Sequence, residues 1–212
     1  MFGAENLIVF IGTGVLLNLY PGQDTFYIAG RSISQGRKAG IYAALGIATG
    51  AVVHNIVGAL GLSVILATSA HAFLIIKYIG AAYLVYQGFS MFFGKAFEVR
   101  ELQESEVSVD LQKIFRQGAL TNILNPKVAV FFMAFIPQFI SANSHNKGLS
   151  FLFLGFVFIT TGTIWCLLIA LFSSTLSSRF RRNKSISRYL LKLNGALLTA
   201  LGLKLATSKF NA

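Results

Sequence analysis

Cysteine, proline and acidic residues are all scarce in this chain of 212 residues. It has one cysteine, three prolines and seven acidic residues, and only 12% of its residues are charged. One cysteine, Cys166, excludes an intrachain disulfide, a CxxC redox motif and a cysteine-built metal cage. Soluble domains carry about a quarter charged residues. The composition therefore argues against a soluble domain and excludes a membrane thiol oxidoreductase, which needs paired cysteines.

Long apolar runs fill most of the chain instead. Hydrophobic residues make up 55% of it and the mean hydropathy is +0.68. Several runs are long enough to cross a bilayer, and they lack the alternation of a barrel strand, so they are expected to be helices. We predict an all-α membrane protein with six transmembrane helices, numbered as spans 1 to 6. Their predicted bounds are Leu7–Ala29, Ile41–Ala67, Phe73–Phe93, Ile114–Ile140, Leu149–Leu176 and Tyr189–Ala206.

The basic residues lie between the apolar runs and predict an orientation. The formal net charge is +11, and most Lys and Arg residues follow spans 1, 3 and 5. Lysine and arginine collect in cytoplasmic loops, so these three loops are predicted to be cytoplasmic and both termini periplasmic. The basic residues assigned to the opposite side are Lys77, Lys147, Lys204 and Lys209. The expected partner of this charge is the lipid bilayer, not nucleic acid.

Two segments of the chain resemble each other. GVLLNLYPGQD begins at Gly14 and GALTNILNPKV at Gly118, and the alignment pairs Asn18 with Asn122. The repeated unit contains three spans, which is an odd number, so its second copy enters the membrane from the opposite side. This is the inverted repeat found in many secondary transporters.

The repeat divides one transmembrane domain, 1–212, into two halves. They cover about 1–93 and 114–212. A polar segment that carries charges of both signs, about 94–113, is predicted to be a cytoplasmic linker.

Spans 1 and 4 each contain a proline at a corresponding place. Pro21–Gly22 is expected to break span 1, and Asn125–Pro126 to break span 4 about midway, because proline removes a helical hydrogen bond. Paired breaks in two halves indicate a central binding site. Freed amides favour a carboxylate and freed carbonyls an ammonium group, and an amino acid carries both.

Ionisable residues lie beside or near these breaks. Asp24 could bind a substrate ammonium or carry a coupling proton, and Lys127 could hold a carboxylate or neutralise Asp24. Alternatively, Asp24 lies at the cytoplasmic interface and Lys127 extends its amine there. His54, within span 2, could contact the cavity or relay protons, or only join two helices by a hydrogen bond.

These features give a candidate set of substrate- or ion-binding residues. The set is Asn18, Pro21, Gly22, Gln23, Asp24, His54, Asn122, Asn125, Pro126 and Lys127. No P-loop, metal-ligand pattern or catalytic constellation is found in the sequence, so we expect a transporter that needs no cofactor, not an enzyme or an ATP-driven pump.

An ordered series of motifs resembles the LysE/RhtB family of amino-acid exporters over nearly the whole chain. The motifs are Pro21–Asp24, Gly36–Gly40, Ala44–Gly46 with His54, Gly80–Leu84, Asn125–Lys127, Phe131–Phe132 and Pro137–Phe139. The resemblance implies efflux of amino acids or close derivatives across a bacterial inner membrane, driven by an ion gradient, commonly of protons. It is also compatible with a homo-oligomer.

The chain departs from the family pattern beside the first break. Gln23 and Asp24 stand where the family usually has Pro and Asn. The acidic Asp24 could favour cationic substrates or alter proton coupling. Two other functions fit the sequence less well. A metal-cation exporter would need several membrane carboxylates or thiols, and a scaffold subunit would leave the matched breaks unexplained.

Overall fold

The computed structural model describes residues 3–19, 22–68, 70–93, 109–141, 143–180 and 184–207, and these are almost entirely helical. The helices are α1 (Leu7–Leu19), α2 (Gln23–Gln35), α3 (Arg37–Thr68), α4 (Ala70–Phe93), α5 (Leu111–Ile123), α6 (Pro126–Val130), α7 (Lys147–Phe180) and α8 (Lys184–Thr207). A π-helical turn, Phe131–Phe135, and a 3-10 turn, Ile136–Phe139, continue α6.

Among the described residues, two helices are long and apolar enough to cross a membrane by length and composition. They are Arg37–Gly61 within α3 and Lys147–Ser173 within α7. A third span results if α5 and Pro126–Phe139, which are bent by 50°, count as one broken span. The all-helical membrane class is therefore confirmed, while the six-span arrangement remains a prediction.

The structure has an interruption at each predicted break. Gly22 caps α2 in an extended conformation, and Pro21 lies outside the described residues. Pro126 occupies the first turn of α6, where its missing N–H costs nothing. The Asn125 side chain caps α6 by accepting a hydrogen bond from the Lys127 amide at 3.0 Å. The second break is thus stabilised by an asparagine cap followed by a proline.

Close helix packing explains several glycines of α3. The helix lies against α5 and α7. A Cβ added at Gly50 would come within 2.7 Å of the Ala119 carbonyl, and one at Gly46 would overlap the Phe115 carbonyl. Glycine therefore lets the α3 and α5 backbones touch, as small residues do in membrane helix pairs. At Gly61, by contrast, a Cβ would meet nothing within 4 Å.

The first broken segment, α1–α2, and the second, Leu111 to Phe139, run antiparallel. Ala4 and Ile140 form an isolated antiparallel β-bridge, with the Glu5 amide donating to the Phe139 carbonyl at 2.8 Å. We call this the bridge end. At the other end, Arg31 donates to the Gln117 side chain at 2.7 Å. We call this the arginine end. Each segment therefore begins where the other finishes.

An aromatic cluster fills the space near the bridge end. Phe131 stacks on Phe158 with centroids 4.1 Å apart and on Phe135 at 5.0 Å. Phe139 contacts Phe135 at 5.0 Å and Phe10 at 5.2 Å. All five side chains are buried. The cluster joins α1, α7 and the π and 3-10 turns into one core.

One charged residue is buried within a helix. Lys77, which belongs to predicted span 3 and was assigned to the periplasmic side, lies in α4 with 3% of its surface exposed. A run of apolar residues with one lysine does not reveal whether that lysine faces lipid headgroups or a neighbouring helix.

Candidate functional site

Asp24 joins the two broken segments. It lies in the first turn of α2, where the helix dipole favours a negative charge. One carboxylate oxygen accepts a hydrogen bond from Asn122 Nδ2 at 2.9 Å, and the other accepts one from Asn125 Nδ2 at 3.2 Å. The carboxylate therefore bonds to both sides of the second break. We call Asp24, Asn122, Asn125 and Lys127 the polar junction.

The two asparagines of the polar junction are almost fully buried, at 2% and 4% exposure for Asn122 and Asn125. Asn125 uses both ends of its amide, donating to Asp24 and accepting from the Lys127 backbone. Asn122 Oδ1, by contrast, is buried and has no hydrogen-bond partner in the structure. A buried acceptor without a donor costs stability, so the polar junction contains one unsatisfied hydrogen-bonding group.

Lys127 brings a positive charge to the same place. It is the second residue of α6, it is partly buried, and it lines the same cavity as Asp24. An acidic and a basic residue thus border one cavity inside a largely apolar helix bundle. Such groups are expensive in a membrane unless they are paired or solvated, and they often mark substrate or ion pathways.

The polar junction borders a cavity of about 50 Å³. One buried water needs roughly 15 Å³, so the cavity admits a small polar group. Its polar wall comes from the broken segments and its remaining wall from α3, α7 and neighbouring apolar residues. The lining residues are Leu17, Asn18, Asp24, Ile47, Ala48, Ala51, Asn122, Lys127, Val128, Phe158, Ile159, Gly162, Thr163 and Cys166.

The candidate residues occupy three kinds of position. Asn18, Asp24, Asn122 and Lys127 line the cavity. Asn125 and the residues that shape the breaks support that wall. These are Gly22, which caps α2, and Pro126, which begins α6.

Two candidate residues lie away from the cavity wall. Gln23 begins α2 and its side chain is exposed. His54 lies behind the wall, with Nε2 3.1 Å from the Asn122 backbone carbonyl. The sequence allowed His54 to contact the cavity, to relay protons or only to join two helices by a hydrogen bond, and the structure contains this last contact.

One wall of the cavity was not predicted. Phe158, Gly162 and Cys166 follow one another at four-residue steps along α7, and all three face the cavity. Gly162 packs closely, because a Cβ there would lie 3.2 Å from the Asn18 side-chain amide. The four-residue spacing was the available signal.

Known proteins are similar to this chain over nearly its whole length. The family model described as LysE type translocator matches residues 15–209. An uncharacterized membrane protein of Bacillus subtilis, YrhP, is 31% identical over 96% of this chain and 100% of its own length. A leucine efflux protein of Klebsiella pneumoniae is 25% identical over 97% of each chain. No solved structure matches the chain.

The family match begins within α1, at residue 15, and continues through all the later helices, so it includes every cavity-lining residue. The interrupted helices and the charged pair beside them are therefore features of the matched region. The chain belongs to the LysE type translocator family.

Proposed function

We propose that this protein is a secondary active transporter that exports amino acids or close derivatives from the cytoplasm, and that its substrate binds at the polar junction. The main support is the position of the Asp24 carboxylate. It accepts hydrogen bonds from two buried asparagine side chains on either side of the second break, and it lines the same cavity as Lys127. Membership of a translocator family favours transport over catalysis.

The charges of the cavity match those of an α-amino acid. The substrate ammonium would bind Asp24 and the unpartnered Asn122 Oδ1, and the substrate carboxylate would bind Lys127. The apolar residues opposite, including Ile47 and Ile159, would contact the substrate side chain.

A neutral amino acid fits this charge balance better than a cationic one. Asp24 alone would favour a cation, but Lys127 offsets its charge. Relatives from Klebsiella pneumoniae and Salmonella choleraesuis are named leucine efflux proteins. We therefore propose leucine-like substrates, in place of the preference for cations that Asp24 by itself suggested.

The proposed topology has six spans in two inverted halves within the bacterial inner membrane. Antiparallel broken segments support it, because an inverted repeat requires spans 1 and 4 to run in opposite directions. The arginine end would be cytoplasmic and both termini periplasmic. Coupling would be antiport with protons, with Asp24 as the group that takes up a proton when the substrate leaves.

Transport by purified protein in liposomes tests the proposal. Labelled leucine and lysine would be offered with and without an imposed pH gradient. We expect gradient-driven transport of leucine, and at least a tenfold loss in Asp24→Asn and Lys127→Ala, because each removes one charge of the pair. Full activity of both variants, or no transport of any amino acid by the wild type, would overturn the proposal.

Two matched control variants each remove one charge outside the polar junction. Asp110→Asn removes an exposed acidic residue that caps α5, a place where asparagine also caps well. Lys113→Ala removes an exposed lysine from the same helix end. Both are expected to transport like the wild type.

A further inference from the structure

The second break leaves one backbone carbonyl to be satisfied by other groups. In a continuous helix, the carbonyl of Asn122 would accept a hydrogen bond from residue 126, but Pro126 has no N–H. The Asn125 amide takes one position on this oxygen at 2.9 Å. His54 Nε2 takes the other at 3.1 Å, reaching across from α3.

The hydrogen bond fixes where the His54 proton lies. A carbonyl oxygen only accepts, so Nε2 carries a hydrogen. The imidazole also stacks on Phe132, with centroids 5.9 Å apart and planes at 20°. Phe132 belongs to the π-helical turn that follows α6. His54 thus contacts the second broken segment on both sides of its break.

Asn122 connects His54 to Asp24. His54 bonds the Asn122 backbone, and the Asn122 side chain donates to Asp24 at 2.9 Å. His54 itself does not line the cavity. The Asn122 side chain has few alternative orientations on its backbone, since Gly50 of α3 lies close to its Cβ and Oδ1. A group that fixes the Asn122 backbone carbonyl therefore also fixes the direction of the side-chain amide.

We propose that His54 is a positioning residue of the transport site. Its Nε2–H donates a second hydrogen bond to the Asn122 carbonyl, which Pro126 cannot bond, and thereby holds the Asn122 side-chain amide against Asp24. The inference rests on the proposed function of the polar junction. In this role His54 is a permanent hydrogen-bond donor. It does not relay protons, which was the alternative that the sequence left open. A side chain that donates without titrating should then replace it.

Two substitutions separate these roles. His54→Gln keeps a donor of similar reach and cannot titrate, whereas His54→Leu keeps the bulk and removes the donor. We expect His54→Gln to retain proton-driven leucine transport within about threefold of wild type. We expect His54→Leu to raise KM for leucine about 5- to 10-fold, the effect of one lost hydrogen bond, with a smaller change in the maximal rate. An inactive His54→Gln, or a fully active His54→Leu, would overturn the proposal.

A neighbouring residue supplies the matched control. Asn55 also joins α3 to a backbone carbonyl, donating to that of Leu152 on α7 at 3.2 Å, so its hydrogen bond leads to a helix outside the polar junction. Asn55→Ala should lower the melting temperature without changing KM. If it raises KM as much as His54→Leu does, the effect of His54 is general destabilisation and the proposal fails.

Two further measurements complete the test. If His54 acts through Asn122, His54→Leu adds less than twofold to KM in an Asn122→Ala background, because coupled residues are not additive. If His54→Leu raised KM by the same factor in the wild-type and Asn122→Ala backgrounds, the mechanism would be contradicted. Nitrogen NMR of labelled histidine in the purified protein should find a hydrogen on His54 Nε2. A neutral Nδ1–H form would refute the assignment even if the protein transports nothing, which separates this failure from that of the proposed function.

Discussion

The two ends of the antiparallel broken segments are held together by different contacts. At the bridge end, the five buried phenylalanines of the aromatic cluster lie beside a β-bridge whose backbone hydrogen bonds include the Ser141 amide to the Gly3 carbonyl at 2.8 Å. At the arginine end, a smaller aliphatic cluster that includes Ile28 is accompanied by side-chain hydrogen bonds: Tyr27 to the Ile114 carbonyl at 2.7 Å, and Arg31 to Gln117 at 2.7 Å.

The difference indicates which end opens more readily. Ring packing is lost only if the whole aromatic cluster moves, whereas interhelical side-chain hydrogen bonds in membranes contribute about 1 kcal/mol or less each. Arg31 Nε is also buried without a hydrogen-bond partner, which costs stability at that end. We therefore expect the arginine end to open at the lower free energy. The predictions below test this, from the largest effect to the smallest.

The largest effect is expected from Phe131→Ala. Phe131 contacts three other rings of the aromatic cluster, and its removal leaves a cavity that the rigid turns cannot fill. The free energy of unfolding should fall by about 3 kcal/mol, measured by denaturation in mixed micelles. Phe156→Ala is the control, since that ring lies on α7 with 66% of its surface exposed. Equal losses in both variants would mean that the aromatic cluster does not hold the bridge end.

Arg31→Gln should have an intermediate effect at the arginine end. It removes the bond to Gln117 and the contact of the guanidinium with the Tyr27 ring, 5.4 Å from its centroid. Cys166 is the single cysteine of the chain and lines the cavity, so its alkylation reports opening. A loss of about 1 kcal/mol should speed alkylation roughly fivefold.

Arg116→Gln is the matched control for this experiment, because Arg116 is exposed on α5 near the same end. A membrane-impermeant reagent, applied to either face of sealed vesicles, distinguishes the ends. Faster alkylation of Arg31→Gln only from the face opposite the arginine end would contradict the comparison.

Tyr27→Phe should have the smallest effect. It deletes one hydroxyl and its bond to Ile114, while the ring still packs beside Arg31. Loss of a single such bond, about 0.6 kcal/mol in a membrane, should raise the alkylation rate of Cys166 two- to threefold. Tyr42→Phe, on the exposed side of α3, should leave the rate unchanged. A larger effect than that of Arg31→Gln would make Tyr27, not Arg31, the main contact of this end.

Local features of the sequence were enough to locate the breaks and several cavity residues. A proline removes its own hydrogen bond whatever surrounds it, so Pro126 and its neighbour Asn125 predicted where α5 ends and α6 begins. Asp24 and Lys127 were singled out because a charge beside an apolar run is conspicuous. The membrane class follows from the same local composition.

Contacts between distant segments could not be read in this way. Gly162 and Cys166 of α7 look like any small residues of an apolar helix, and only packing against α1 and α2 makes them a cavity wall. The burial of Lys77 could not be predicted for the same reason, since it depends on neighbouring helices. His54 could be ranked as a candidate, but its partner, a carbonyl on another helix, could not be named.

The sequence by itself determined an apolar helical chain with two interrupted segments and the charges beside them, because hydropathy and the chemistry of proline act within a few residues. The tertiary structure alone decided that Asp24 bonds Asn122 and Asn125, and that His54 stands behind Asn122. These pairs are 68 to 101 residues apart in the chain, and only the packing of α2, α3 and α5 brings their atoms within hydrogen-bonding distance.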